Sequence, residues 1–147
     1  MSAKTIRDID VIRTFVLQGT LNFTRYFFKI RQKRKFVVGK HHREIAAALD
    51  KVLCGEITRL IINIAPRYGK TELAVKNFIA EGLAINPKAK FIHLSYSDDL
   101  ARDNSRGVQD IINEPEYRRI FPATIPTSTN TKKWYTTEGG GLYAVSS

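Results

Sequence analysis

Arg59-Leu60-Ile61-Ile62-Asn63-Ile64-Ala65-Pro66-Arg67-Tyr68-Gly69-Lys70-Thr71 changes its hydrophobic period partway along. Arg59 to Ala65 is a short β-branched run, the pattern of a strand covered on both faces. Pro66-Arg67-Tyr68-Gly69 breaks that run. From Lys70 to Ile85 the spacing turns helical, with Leu73, Ala74, Asn77, Phe78, Glu81 and Leu83 following, until Asn86-Pro87 ends it. The turn matches the last three positions of the phosphate-loop template G-x-x-x-x-G-K-[ST], and Ile64 stands where the template has its first Gly.

The physics of that template assigns roles. Backbone N–H groups at a helix N-terminus point at phosphates, and the helix dipole favours their charge. Gly69 lets the backbone approach without a Cβ, Lys70 neutralises β/γ oxygens, and the Thr71 hydroxyl reaches Mg²⁺. Arg67 lies inside the loop, where a guanidinium either stabilises charge on a transferring phosphoryl group or pairs with a neighbour. Ile64 does not readily take the left-handed conformation open to Gly, so the loop is expected to follow a variant path set by Pro66. The competing reading is an ordinary strand-to-helix turn with a surface lysine. Glu72 reads as a first-turn acid or as an outer partner of Mg²⁺, the first being favoured.

Lys90 to Tyr96 reads as a second strand, so strand, loop, helix and strand together predict a βαβ unit with parallel strands. A helix is expected from Ser97 to Ile112 with Leu100, Ala101, Val108, Ile111 and Ile112 inward. Ser97 fits its N-cap, and Asp98 and Asp99 fit its first turn. Trp134-Tyr135-Thr136 and Leu142-Tyr143-Ala144-Val145 read as strands joined through Glu138-Gly139-Gly140-Gly141.

Three helices are expected upstream. Ile6, Ile9, Ile12, Phe15 and Val16 mark the first, over 5–19, with Gly19 as its stop. Thr20 opens the second, where Phe23, Tyr26, Phe27 and Ile30 share a side and read as core aromatics. The third runs from His42 to Cys54 on Ile45, Ala46, Leu49, Val52 and Leu53, with Gly55 at the position after its cap. The predicted class is α/β, a P-loop NTPase core with an incomplete parallel sheet, preceded by N-terminal helices.

The chain has 147 residues, a 43% hydrophobic fraction and a formal net charge of +10. This suits one domain, or most of one, with a real core rather than wholesale disorder. No apolar run approaches the ~20 residues of a membrane span, and the start MSAKTIRDID does not read as a secretory signal. The single Cys54 excludes an internal disulfide framework and fits a reducing compartment. Charge is uneven, with a net of +9 over residues 1–75 and +1 over 76–147. Lys29-Ile30-Arg31-Gln32-Lys33-Arg34-Lys35 is its densest run. It reads as a nucleic-acid or other polyanion patch, or as a solvated helix end. His41 and His42 are adjacent and should point about 100° apart on a helix, and His93 falls on a strand, so zinc is not expected.

Phe36-Val37-Val38-Gly39-Lys40-His41-His42, the helix after it, and Leu60 through Glu72 resemble the ATPase part of bacteriophage terminase large subunits. Phe91-Ile92-His93-Leu94-Ser95-Tyr96-Ser97, followed by Asp98-Asp99-Leu100-Ala101, does so too. That family carries a deviant phosphate loop with an Arg inside it, written P-R-x-G-K-[ST]; here it is Pro66-Arg67-Tyr68-Gly69-Lys70-Thr71. The similarity covers roughly residues 20–147.

The resemblance implies an ATP-driven motor that packages double-stranded viral DNA into a procapsid. ATP and Mg²⁺ would be its cofactors, and portal protein and the small terminase subunit its partners. It further implies a homo-oligomeric ring, the cytoplasm of an infected bacterium and no membrane. Pro66, Arg67, Tyr68, Gly69, Lys70, Thr71, Glu72 and His42 become the nucleotide-binding set, with Lys70 and Arg67 catalytic and Thr71 on the metal. His42 or Phe36 would line the adenine site. Lys33, Arg34, Lys35, Ser95, Tyr96 and Ser97 become DNA-facing or coupling residues.

The division implied is a basic helical segment at 1–35 and a partial P-loop ATPase domain at 36–147. The family's acidic strand and nuclease half are not in the sequence, and Gly139-Gly140-Gly141 resembles the stretch just before that strand. The chain is therefore expected to be an N-terminal fragment or truncated product, with slow hydrolysis of its own. The alternatives are a helicase-like, nucleic-acid-stimulated ATPase and a basic DNA-binding fragment without nucleotide function.

Overall fold

The computed structural model describes residues 2–147; Met1 and the side chain of Ile6, expected on the first helix's apolar side, lie outside the described residues. The chain divides into two units, Met1–Phe78 and Ile79–Ser147.

The first unit is built on helices α1 (Ala3–Val16), α2 (Thr20–Gln32) and α3 (Lys40–Leu53). Ser2 caps α1 by accepting the Thr5 N–H at 3.2 Å. Ile9 and Val16 are buried, while Phe15 is exposed. Gly19, expected to stop α1, instead stands at the N-cap of α2, and α1 has already ended at Val16. Glycine brings no capping side chain, so Asp50 of α3 supplies the acceptor: its Oδ1 takes both the N–H and the hydroxyl of Thr20, at 2.7 and 2.8 Å. Phe23 and Phe27 are fully buried with centroids 4.7 Å apart, as expected of core aromatics. In α3, Ile45, Ala46 and Leu49 are buried, and Gly55 follows the Cys54 cap.

The expected strand at Arg59–Ala65 is not formed; the segment carries no strand or bridge pairing. A β-branched run becomes a strand only with a ladder partner, and the first unit has no strand among its described residues. Ile62 and Ile64 pack instead against the core of Ile45, Leu49 and Leu73, and Ile61 points to solvent. The expected helix from Lys70 to Ile85 is present, with one irregularity. A π-helical turn over Glu72–Asn77 precedes α4 (Phe78–Ile85). The Asn77 side-chain amide donates to the Glu72 carbonyl at 2.8 Å, filling the widened turn.

In the second unit, β1 (Lys90–Ser95), α5 (Asp98–Asn113), α6 (Pro115–Ile120), β2 (Lys133–Tyr135) and β3 (Gly141–Ser146) follow α4. The sheet order is β1-β3-β2. β1 runs parallel to β3, from Lys90 opposite Gly141 to Ser95 opposite Ser146, and β2 is antiparallel to β3 with Trp134 opposite Leu142. The expected βαβ unit of 59–65 with 90–96 is therefore not formed; β1 runs parallel to β3 instead, with α5, α6 and β2 between them in the chain. Gly141 is required by close approach: a Cβ there would meet the Trp134 carbonyl oxygen at 2.1 Å.

α5 covers one sheet face with Ala101, Val108, Ile111 and Ile112. Leu100, expected inward, is 38% exposed, because it lies off the Ala101–Asn104–Val108 stripe. Trp134 is buried and its indole N–H donates to Ser105 Oγ at 3.0 Å. The short α6, not read from the sequence, opens with Pro115 and buries Tyr117 and Ile120. The Tyr117 hydroxyl donates to the Ala80 carbonyl at 2.8 Å, and burial pushes that phenol well above its ordinary pKa. The class is thus mixed α/β with a small three-stranded sheet.

Candidate functional site

The site grows from the loop between Ile64 and Thr71. Ile64 is anchored in the first unit's core, so the chain turns after it. The left-handed conformations fall on Arg67 (φ 68°) and Gly69 (φ 77°). The variant path expected from the missing first glycine thus places one left-handed residue on a non-glycine, a conformation that costs about 1–2 kcal/mol. The first helical hydrogen bond after the loop runs from the Leu73 N–H to the Gly69 carbonyl at 3.0 Å. The amides of Lys70, Thr71 and Glu72 lie ahead of that bond, as free N-terminal donors of a helix do. Lys70 is half-buried and, among the described residues, has no ion-pair partner; Pro66, Arg67, Tyr68 and Thr71 are exposed.

His42 supports the loop from α3. Its Nδ1 accepts the Gly39 amide N–H at 2.9 Å, and its Nε2 lies 2.8 Å from the Tyr68 carbonyl oxygen. An accepting Nδ1 puts the neutral ring's proton on Nε2, so Nε2 donates to Tyr68. The His41 Nε2 lies 3.0 Å from that of His42 and 3.3 Å from the same carbonyl. The two rings therefore converge, with centroids 3.8 Å apart, against the expectation that neighbouring helical side chains diverge. Both sit in the first turn of α3 and turn toward one acceptor. Phe36 packs on His42 at 4.9 Å and the Tyr68 ring meets His41 edge-on at 5.6 Å. Burial lowers the His42 pKa from its usual 6.5; the Tyr68 carbonyl opposes that shift and the His41 charge adds to it.

Glu72 is held within the first unit. Its carboxylate pairs with Arg31 of α2, accepts the Asn77 amide at 3.0 Å and lies 4.0 Å from Lys76. Arg31 belongs to the basic run in the sequence, but its side chain is only 9% exposed. Composition alone gives no sign of this, since the partner lies 41 residues away. Asn77 and His41 were likewise missed as supports; the asparagine at a helix-interior position was the available signal. Lys33, Arg34 and Lys35 are exposed at the end of α2, with Lys33 left-handed and the Arg34 guanidinium 5.5 Å from the Phe28 centroid.

Ser95, Tyr96 and Ser97 belong to the second unit. Ser97 caps α5, its Oγ accepting the Leu100 N–H at 3.4 Å, and Asp98 pairs with Arg102 at 2.7 Å. Tyr96 is 83% exposed. His93 Nε2 lies 3.1 Å from the Asn104 side-chain amide, and burial lowers its pKa. Among the described residues, no group of three potential ligands forms a metal cluster, and no helix is long and apolar enough to cross a membrane.

No family model, curated protein or solved structure matches the chain.

Proposed function

We propose that Pro66–Thr71 is a phosphate-binding loop for Mg·ATP, and that the chain is the ATPase portion of a viral DNA-packaging motor of the terminase large-subunit type. The observation that carries the nucleotide reading is the loop itself. Two left-handed residues turn the chain into a helix whose leading amides precede its first hydrogen bond, and a half-buried Lys70 stands at that end. These groups suit a polyphosphate: the Lys70, Thr71 and Glu72 amides would donate, the Lys70 ammonium would neutralise, and the Thr71 hydroxyl would take a hard cation. Mg²⁺, when bound, draws charge off the terminal phosphate. Arg67, exposed beside Gly69, supplies a guanidinium to the same charge.

The Glu72 Oε1 is taken by Arg31 and Asn77 and its Oε2 lies 4.0 Å from Lys76, which supports a structural role for this carboxylate over one in activating water. The described chain is therefore a nucleotide binder with slow hydrolysis of its own. Duplex DNA, portal protein, the small subunit and a homo-oligomeric ring follow from the resemblance in the Pro66–Thr71 and Phe91–Ala101 segments.

A second reading has its own observation: Lys33, Arg34 and Lys35 are exposed together at one helix end, a polyanion contact that needs no nucleotide. Duplex-DNA binding across a salt series, with and without Mg·ATP, separates the two. The motor reading expects nucleotide to change DNA affinity and Lys70→Ala to remove that change. DNA affinity indifferent to both favours the basic module.

A further inference from the structure

Within the nucleotide reading, on which this inference rests, we infer that His42 is a positioning residue: it acts through the Tyr68 carbonyl to hold the phosphate loop, rather than by touching the base. The same face of α3 does two things. Ile45 and Leu49, three and seven residues on, pack under Leu73 of the helix that follows the loop. His42, at the head of that face, donates from Nε2 to Tyr68 O at 2.8 Å. The loop is thus fixed at its turn by a hydrogen bond and beyond its turn by apolar packing. The hydrogen bond can be removed without altering Ile45, Leu49 or Leu73.

The proton needed on Nε2 is specified by a second contact. The Gly39 N–H occupies Nδ1 at 2.9 Å, leaving Nε2 as the ring's donor. His41 approaches the same carbonyl, its Nε2 being 3.3 Å from Tyr68 O and its ring edge-on to Tyr68 at 5.6 Å. Gly69 completes the fit, because a Cβ there would stand 2.9 Å from His42 Nε2. The imidazole therefore fills the space next to the glycine that lets the backbone turn.

Two substitutions separate the contacts of the ring. In His42→Asn the amide oxygen replaces Nδ1 and keeps the Gly39 cap, but nothing reaches Tyr68. In His42→Gln the longer amide replaces Nε2 and keeps the Tyr68 bond. Both are compared with wild type by Mg·ATP titration, by hydrogen exchange at Leu73, whose amide is bonded to the Gly69 carbonyl of the loop at 3.0 Å, and by ¹⁵N NMR of the wild-type His42 ring.

The expected results are an Nε2–H tautomer, about tenfold weaker Mg·ATP binding with faster loop exchange in His42→Asn, and recovery to within a few-fold in His42→Gln. A wild-type Nδ1–H tautomer, or wild-type loop exchange in His42→Asn, overturns the inference. If wild type does not bind Mg·ATP, the nucleotide reading fails, but the tautomer and the exchange rates still decide whether His42 holds the loop. The tautomer needs no variant, so a misfolded substitution does not remove the test.

Discussion

His42 Nε2 lies 2.8 Å from the Tyr68 carbonyl oxygen and would lie 2.9 Å from a Cβ added at Gly69. One imidazole therefore both ties the loop down and leaves room for no residue larger than glycine. Gly69 also has φ 77°, which a side chain resists independently of the space. Gly69→Ala is expected to lower stability by about 1–2 kcal/mol and to weaken Mg·ATP binding at least tenfold. Denaturant unfolding and nucleotide titration check both; an unchanged midpoint with unchanged affinity contradicts this geometry.

Arg67 carries its left-handed conformation on a full side chain. Arg67→Gly relieves that strain, whereas Arg67→Ala retains it and removes only the guanidinium. The glycine variant should be more stable than the alanine variant by about 1 kcal/mol, and both should lose whatever charge stabilisation Arg67 gives bound phosphate. Equal stability of the two variants, read by chemical denaturation, speaks against a left-handed Arg67.

Arg31 and Glu72 form a largely buried pair joined by Asn77. Removing one partner leaves an uncompensated charge, so Arg31→Met should cost about 3 kcal/mol. Adding Glu72→Gln should restore part of that loss, giving a favourable coupling in a double-mutant cycle. Additive effects would show that the pair contributes nothing as a pair.

The parts of this arrangement differ in how far local pattern reveals them. The helices from Thr20 and from Lys70, the Ser97 cap and the strands around Trp134 and Leu142 follow from period and capping chemistry within a few residues. Ile61–Ala65 has strand composition, yet its state depends on a ladder partner that no local pattern can supply. Arg31 looks like one more residue of a basic run because its Glu72 partner is distant in sequence. His41 and His42 look divergent when only helix geometry is considered. A carbonyl of the loop, 26 residues beyond His42, turns the rings together. The Pro66–Thr71 turn is legible as a break between two periods, and the residues that hold it in place are not.

His93 sets an acid limit in the second unit. Its pKa is lowered from the usual 6.5 by burial, and Nε2 accepts the Asn104 amide only while unprotonated. A folded-state value below the unfolded one gives stability that is complete above about pH 6.5. That stability is lost as pH falls through the folded value. Unfolding free energy should therefore decline as pH falls below about 6.5, and His93→Leu should flatten the decline while lowering stability at neutral pH. A slope unaffected by His93→Leu places the titration elsewhere.

The nucleotide assignment is tested most directly by equilibrium binding of Mg·ATP to this chain, with Lys70→Ala measured beside it and the fold of both checked by circular dichroism. The expected result is saturable binding by wild type and loss of most of that affinity in the variant, because Lys70 is the half-buried cation at the helix end whereas Arg67 is exposed. Folded wild-type protein that does not bind, or a Lys70→Ala protein that binds equally well, contradicts the phosphate-loop assignment.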